Sequence, residues 1–80
     1  MRLDKFLKVS RIIKRRTIAN EACDAGRVKI NGKPVRASYD VKIDDILEVS
    51  LGARVLKAKI VNVKEFTTKE EAEMLYNIID

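Results

Sequence analysis

The spacing of apolar residues changes abruptly at Gly26, and this change limits the folds that the chain can adopt. Apolar residues recur at helical spacing within residues 3–10 and again within residues 16–25. Residues 27–30 then alternate between charged and apolar side chains, which is the period of a half-buried strand. The dipeptide Asn31-Gly32 follows and favours a type I′ turn. The sequence therefore predicts an α+β fold, in which two N-terminal helices pack on a small antiparallel sheet.

Both predicted helices have an apolar face and recognisable ends. Thr17 or a neighbour is expected to cap the second helix. Gly26 suits its C-terminal end, because glycine takes a positive φ without steric cost. The inward faces are expected to carry Leu3, Phe6, Leu7 and Ser10 in the first helix, and Ile18, Ala22 and Ala25 in the second, with Ala19 and Cys23 beside them.

The strands that follow are short and are separated by turn residues. Pro34 cannot donate to a β-ladder, so the returning strand around Val35 is expected to be short or to lie at an edge. Asp44-Asp45 predicts a turn before a strand over Ile46–Leu51. A longer strand is predicted over residues 54–64, where the broken alternation near its end suggests a bulge or a change of packing partner.

The last part of the chain carries a helix-start signal. Thr68-Lys69-Glu70-Glu71 has the spacing of a capping box, in which side chains satisfy backbone N–H groups of the first turn. We predict a C-terminal helix with Ala72, Leu75 and Ile79 facing inward. The 80 residues are expected to form a single domain, 1–80, because so short a chain builds only one thin core.

The charge of the chain is divided unevenly along its length. The net charge is +5, with +8 in residues 1–36 and −3 in residues 37–80. Such a chain is expected to turn its basic half toward a nucleic acid or an anionic membrane surface. No apolar run exceeds three residues, so we predict no membrane-spanning segment.

The composition argues against catalysis. The chain has no histidine, and its one cysteine, Cys23, excludes a zinc site built from several thiolates. Gly32-Lys33 is not a phosphate loop, because Arg27 stands where that motif requires glycine. Cys23 is expected to be a buried neutral thiol, and its isolation favours a cytosolic protein. We therefore predict a cytoplasmic binding module with no enzymatic activity, no cofactor and no metal.

The cations of the first helix and of the following connection predict a phosphate-binding surface. Those of the first helix lie away from its apolar stripe, and the others stand where the second helix begins. At a helix start, backbone N–H groups and the macrodipole already attract phosphate, whereas cations there are mildly unfavourable. A merely solvated face gives no reason to accept that cost. These residues are Arg2, Lys5, Lys8, Arg11, Lys14, Arg15 and Arg16.

The predicted hairpin carries further cations whose role stays open at this point. They are Arg27, Lys29, Lys33 and Arg36. Outward strand residues are usually polar, so a solvated strand face explains them as well as RNA contact does. Two other interpretations also stay open. Two helices before a hairpin are compatible with a small DNA-binding protein, and the acidic half could instead dock a protein partner.

Several motifs in order resemble the RNA-binding domain first recognised in ribosomal protein S4. They are Arg2-Leu3-Asp4, Arg16-Thr17, Ala19, Gly26-Arg27-Val28 and Asn31-Gly32. The resemblance covers about residues 1–50 and implies an S4-type RNA-binding core, in which two helices and a hairpin form one face (the αL motif). Residues 51–80 are then a C-terminal extension. That domain commonly has Gly-Asp where this chain has Asp44-Asp45, and Asp tolerates the left-handed backbone better than most residues.

The length and opening of the chain resemble the stand-alone RqcP family of ribosome-associated quality control, with the heat-shock protein 15 family a close second. The first resemblance implies binding to large ribosomal subunits obstructed by peptidyl-tRNA, through rRNA and the tRNA. It also implies support for alanine tailing of stalled chains by a partner, RqcH. The second implies a recycling factor for large subunits. In either role we expect a monomer.

The resemblance also assigns roles to individual residues. Arg2 and Arg16 are the leading expected RNA contacts, and Asp4 is expected to orient neighbouring basic side chains. The full set of predicted RNA-binding residues is Arg2, Lys5, Lys8, Arg11, Lys14, Arg15, Arg16, Thr17, Arg27, Lys29 and Lys33.

Overall fold

A five-stranded antiparallel sheet with strand order β2-β1-β3-β4-β5 forms the base of the molecule. The computed structural model describes residues 1–65 and 67–79. In chain order its elements are α1 (Leu3–Val9), α2 (Arg16–Asp24), β1 (Val28–Ile30), β2 (Lys33–Pro34), β3 (Ile46–Leu51), β4 (Arg54–Ile60), α3 (Lys69–Ala72), a 3-10 turn (Glu73–Leu75) and β5 (Tyr76–Ile78). The predicted α+β class, with two N-terminal helices, an antiparallel sheet and a C-terminal helix, is confirmed.

The α1 helix buries the apolar stripe that its spacing predicts. Leu3, Phe6 and Leu7 are fully buried, because residues three and four positions apart share one helical face. At the end of the helix, Ser10 donates from Oγ to the Leu7 carbonyl oxygen at 3.2 Å. Arg11 follows with φ 61°, a left-handed conformation that helix ends usually give to glycine. The turn therefore places an exposed cation beside α1.

The α2 helix buries a different face from the predicted one. Ala19 and Cys23 are buried, whereas Ile18 is 48% exposed and Ala25 is exposed. The expected face was therefore wrong by about one residue. Small side chains at Ala19 and Cys23 let α2 approach α1 closely, and a larger isoleucine there would hold the two helices apart. Gly26 ends this region with φ 73°, as predicted.

The start of α2 has no capping side chain. Arg15 is the N-cap residue, with φ −118° and ψ 130°, and its side chain makes no capping hydrogen bond. Thr17 lies within the first turn rather than before it, so the expected capping role of Thr17 is wrong. The first turn also contains no acidic residue. Within its own sequence, the positive end of α2 therefore carries cations and no acid.

The two faces of the sheet differ as strand alternation requires. One face packs against the helices and carries the buried side chains of Val28, Ile30, Leu47, Val49, Ala58 and Ile60. On the opposite face Lys29, Glu48 and Lys57 stand side by side in register across β1, β3 and β4. Charges of both signs therefore alternate across the open face.

The hairpin between β1 and β2 has the predicted turn. Asn31 and Gly32 have φ 52° and 85°, and two positive values define the type I′ geometry. Pro34 lies in β2, an edge strand of two residues, which is the position that its missing N–H allows. The Asn31 side-chain oxygen accepts a hydrogen bond from the backbone N–H of Ile46 at 3.0 Å. The hairpin is thereby tied to the start of β3.

The turn before β3 adopts a left-handed conformation without glycine. Asp44 has φ 77°, as its short side chain permits. Asp45 beside it is 8% exposed. Its carboxylate accepts hydrogen bonds from the Tyr39 hydroxyl at 2.9 Å, the Lys42 backbone N–H at 3.0 Å and the Asn31 amide at 3.2 Å. Three neutral donors therefore hold this turn in place.

The strand predicted over residues 54–64 ends earlier, at Ile60. The next two residues turn toward the C-terminal segment. Val61 and Asn62 both donate from their backbone N–H groups to the Leu75 carbonyl oxygen, at 2.9 and 3.3 Å. The broken alternation in the sequence thus reflects a change of packing partner.

The C-terminal helix begins as predicted but is shorter than predicted. The Thr68 hydroxyl accepts the Glu71 backbone N–H at 3.2 Å, and α3 then runs only to Ala72. Leu75 is buried as expected. From Tyr76 the chain becomes β5 and pairs with β4, and the Ile79 N–H donates to the Lys57 carbonyl oxygen at 2.8 Å. The free edge of β4 therefore ends the helix before Ile79.

Candidate nucleic-acid interface

A buried carboxylate gathers two arginines at the start of the two helices. The Asp4 side chain is 3% exposed, whereas those of Arg2 and Arg16 are 50% and 45% exposed. Arg2 donates from Nε to one carboxylate oxygen at 3.2 Å and from Nη2 to the other at 3.3 Å. The Arg16 Nε lies 3.5 Å from the second oxygen, which also accepts a hydrogen bond from the Asn20 amide at 3.2 Å. We call these four residues the Asp4 cluster.

The Asp4 carboxylate is ionised at neutral pH. Burial raises its pKa, but the hydrogen bonds from Arg2, Asn20 and Arg16 outweigh burial and hold the pKa below its ordinary value. One negative charge thus faces two positive charges. The cluster keeps a net positive charge, and its arginines have a fixed orientation.

The backbone around Arg2 is fixed by a second part of the chain. Arg2 forms an antiparallel bridge with Asp40. The Leu3 N–H donates to the Tyr39 carbonyl oxygen at 2.8 Å. Arg16 is the first residue of α2, and α2 packs on α1 through Ala19 and Cys23. Both arginines therefore project from well-anchored backbone.

A groove of about 900 Å³ lies next to this cluster, between α1 and the segment around α3. We call it the basic groove. One wall comes from α1, the connection to α2 and the first residue of α2. The cations on that wall are Lys5, Lys8, Arg11, Lys14 and Arg16. Arg16 belongs to both features, so the Asp4 cluster and the basic groove form one continuous surface.

The order of these elements and their motifs decide the family. Residues 1–47 match the S4 domain, a stretch that holds both N-terminal helices, the hairpin and the Asp4 cluster. The chain belongs to the S4 domain family. The match leaves most of β3, the whole of β4 and the C-terminal segment outside the S4 domain.

Two curated relatives match over almost the whole chain. The chain is 51% identical to the RQC P-site tRNA stabilizing factor of Streptococcus pneumoniae over 79 residues, which cover 99% of this chain and 90% of the relative. It is 52% identical to the protein of that name from Bacillus subtilis over 79 residues, covering 99% of this chain and 92% of the relative. The similarity therefore extends beyond the S4 domain.

A solved structure has the same architecture. Heat shock protein 15 of Vibrio cholerae, solved as a trimer, superimposes with a TM-score of 0.93 at 28% identity. The match covers 99% of this chain and 81% of that one. The C-terminal segment is therefore part of a fold that this chain shares with that solved structure.

The structure does not bring to the basic groove all the RNA-binding residues that were predicted from the sequence of this chain. Arg15 and Thr17 are exposed at the start of α2 but are not among the described residues that line it. Lys29 lies on the open face of the sheet, opposite Glu48. The hairpin residues Arg27 and Lys33 are exposed elsewhere. The RNA-binding role of every predicted residue stays a prediction.

Sequence reasoning missed two parts of this site. Asn20 stands one helical turn after Arg16 and on the same side of α2, and that spacing is the signal that could have placed it on Asp4. The opposite wall of the basic groove was also missed. It includes Thr67, Lys69 and Tyr76, which lie in an acidic part of the chain that local sequence gives no reason to place beside α1.

Three further features of the described residues were addressed by the sequence: metal binding, membrane spanning and the cysteine thiol. Within them, no group of three or more His, Cys, Asp or Glu residues is arranged to hold a metal ion. No helix in residues 1–65 and 67–79 is long and apolar enough to cross a bilayer. Burial, with help from the charges of Asp4 and Asp24, raises the pKa of Cys23 to about 11. The expected neutral, buried thiol is confirmed.

Proposed function

We propose that this S4 domain protein is a non-enzymatic RNA-binding factor of ribosome-associated quality control. In this proposal it binds obstructed large ribosomal subunits through rRNA and peptidyl-tRNA, as a cytoplasmic monomer. It thereby supports alanine tailing of stalled chains by RqcH. The name that its relatives share, RQC P-site tRNA stabilizing factor, supports the quality-control pathway and the tRNA.

The Asp4 cluster is the observation that carries the proposal. A guanidinium has five N–H donors, and Asp4 occupies only some of those of Arg2 and Arg16. The remaining donors of two half-exposed, oriented arginines suit phosphate oxygens, to which arginine can bind through two parallel hydrogen bonds. A buried acid that only balanced charge in the core would not need two surface arginines as partners.

Recognition in this proposal depends mainly on RNA shape and backbone charge. The predicted contacts are almost all cations, and contacts to phosphate oxygens fix the position of a protein on a nucleic acid without reading its base sequence. If roughly five to seven phosphates are neutralised, binding falls steeply with salt. Structured RNA is expected to compete better than duplex DNA at one fixed salt concentration, which separates this proposal from a DNA-binding role.

The test is sedimentation of tagged protein with large subunits that carry peptidyl-tRNA. Arg2→Ala and Arg16→Ala are each expected to weaken binding about tenfold, because each removes charge-assisted hydrogen bonds. Lys57→Ala, on the open face of the sheet, is the matched control and should bind as the wild type does. Unchanged sedimentation of both arginine variants would refute the site.

A recycling role like that of the heat shock protein 15 family is the second candidate, favoured by the fold match. Both roles require binding to the large subunit, so binding alone does not separate them. An assay of alanine tailing does separate them. It contains purified RqcH, obstructed subunits and alanyl-tRNA, with and without this protein. A gain in alanine tailing supports the quality-control role, whereas binding without any such gain supports recycling.

A further inference from the structure

The second wall of the basic groove comes from residues outside the S4 domain match. Thr67 donates from its hydroxyl to the Val9 carbonyl oxygen at 2.7 Å, at the end of α1. The Glu65 carboxylate contacts the ammonium group of Lys5, which lies about one helical turn before Val9 in α1. The partly buried hydrogen bond of Thr67 attaches the C-terminal segment to α1, and the Glu65–Lys5 pair lies exposed at the groove. The groove is therefore a built feature of the complete chain rather than of the S4 domain.

The two walls differ in chemistry. The α1 wall presents the five cations named above, whereas the opposite wall presents Lys69, Tyr76 and Ala72, together with Glu73. The positive charges outnumber the acids among the lining residues, Glu65 and Glu73 included. One side thus suits phosphates, and the other offers an aromatic ring.

We infer that the basic groove holds a short stretch of unpaired RNA. Its sugar-phosphate backbone follows the α1 wall, and a base packs against Tyr76, with Lys69 contacting a further phosphate. This inference rests on the proposed function and adds to it a ligand class and a binding role for the C-terminal segment. Cationic grooves with aromatic side chains are the usual means of holding single strands, because every base has a face that can stack.

The shape of the groove favours one strand over a duplex. It is concave and bounded on both sides, within a molecule only 28 Å along its longest axis. Double-stranded RNA is recognised mostly by its shape, through 2′-OH and phosphate contacts across a wide, shallow minor groove. A bounded groove instead admits a single backbone and its splayed bases, so an unpaired segment of a structured RNA is the fitting occupant.

Glu65 defines the position of one phosphate in this inference. Its carboxylate contacts Lys5 in the free protein, and the Lys5 ammonium holds the pKa of Glu65 below its ordinary range. A phosphate oxygen is an equivalent acceptor for that ammonium. The RNA backbone is therefore expected to displace Glu65, and Glu65→Gln should strengthen RNA binding about twofold by removing a competing and repelling charge.

The experiment measures fluorescence anisotropy at one salt concentration with two labelled probes. One probe is a short unstructured RNA oligonucleotide, and the other is a fully paired RNA duplex of equal length. Lys69→Gln is expected to weaken binding of the unstructured probe roughly threefold to fivefold, and Tyr76→Leu roughly fivefold or more. Lys57→Gln removes the same charge as Lys69→Gln from the open face of the sheet and should have no effect.

The outcomes separate this inference from the proposed function. If Lys69→Gln and Tyr76→Leu bind the unstructured probe like the wild type while Arg16→Ala binds weakly, the C-terminal wall has no role and the proposed function stands. If the duplex binds more tightly than the unstructured probe, the inferred occupant is wrong. If Arg16→Ala also binds normally, the proposed site fails as well. Thermal unfolding of Tyr76→Leu, with Lys69→Gln as the second variant, guards against a folding defect.

Discussion

Two buried aspartates lie in different regions of this molecule and differ in the charge of their side-chain partners. Asp45 accepts hydrogen bonds from neutral donors of Tyr39, Asn31 and the backbone, all within the turns beside β3. Asp4 accepts them from Arg2, from the Asn20 amide and from the Lys5 backbone N–H. It also forms an ion pair with Arg16, and both arginine side chains are half exposed. The comparison separates an acid that stabilises the fold from one that orients cations at the surface.

The difference in partners predicts a difference in what each mutation removes. Loss of Asp45 leaves donors without acceptors inside the structure, and unsatisfied buried groups are costly. Loss of Asp4 also removes the acceptor of the Asn20 amide and the Lys5 N–H, but its two arginines can turn into solvent. The fold therefore loses less, while the orientation of the arginines is lost. Stability should therefore depend more on Asp45, and RNA binding more on Asp4.

The largest effect is expected for Asp45→Ala. It should lower the free energy of unfolding by about 3 kcal/mol, because three hydrogen bonds to a buried carboxylate disappear together. Urea denaturation followed by circular dichroism measures this loss. Asp44→Ala is the control at the neighbouring exposed position, where φ is positive. It measures the cost of backbone strain in this turn, apart from the hydrogen bonds of Asp45. A loss below about 1 kcal/mol for Asp45→Ala would show that the turn holds without its carboxylate.

Asp4→Asn should have the next largest effect, and the effect should fall on binding. Asparagine has nearly the same size but carries no charge and only one acceptor oxygen. We expect RNA affinity to fall about tenfold, or about 1.4 kcal/mol, because Arg2 and Arg16 lose their common anchor. Stability should fall by about 1 kcal/mol, since both arginines are half exposed and solvent screens their interaction. If affinity is unchanged while stability falls, Asp4 is structural like Asp45.

The smallest effect is a dependence of stability on acid pH. The folded-state pKa of Asp4 lies below its ordinary value of 3.8, so the unfolded chain takes up the proton first as pH falls. The contribution of Asp4 to stability is therefore complete above that ordinary value and is lost as pH falls through the folded pKa. Urea titrations of wild type and Asp4→Asn from about pH 5 downward should draw closer together as pH falls through the folded pKa. Parallel curves would contradict this linkage.

Local patterns were sufficient where neighbouring residues decide the structure. The apolar stripe of α1 and the turn at Asn31-Gly32 follow from spacing and backbone preference alone, and both are confirmed. The buried face of α2 was wrong because close approach to α1 selects small side chains, which hydrophobic spacing alone ranks below Ile18. The error in the buried face of α2 has a physical cause, because the distance between two packed helices depends on both helices and not on one.

Pairing between strands that are distant in the chain explains the features that local sequence patterns did not predict. Tyr76–Ile78 fits a helix pattern as well as a strand, and the choice is made by the free edge of β4, which is distant in the chain. The opposite wall of the basic groove depends on the same pairing. Within the site, the cations of α1 were visible as a charge pattern, whereas Lys69 and Tyr76 became neighbours of α1 only in the folded chain.

At Arg11, the residue that would best stabilise the fold is not the residue that gives the surface its positive charge. A residue with a β-carbon in the left-handed region costs about 1 kcal/mol relative to a favourable conformation, and glycine at this helix end would avoid that cost. Glycine would also delete a cation from the wall that faces the C-terminal segment. A laboratory selection for heat resistance alone would therefore be expected to replace Arg11, and the resulting protein would tolerate higher temperatures while holding anions less well.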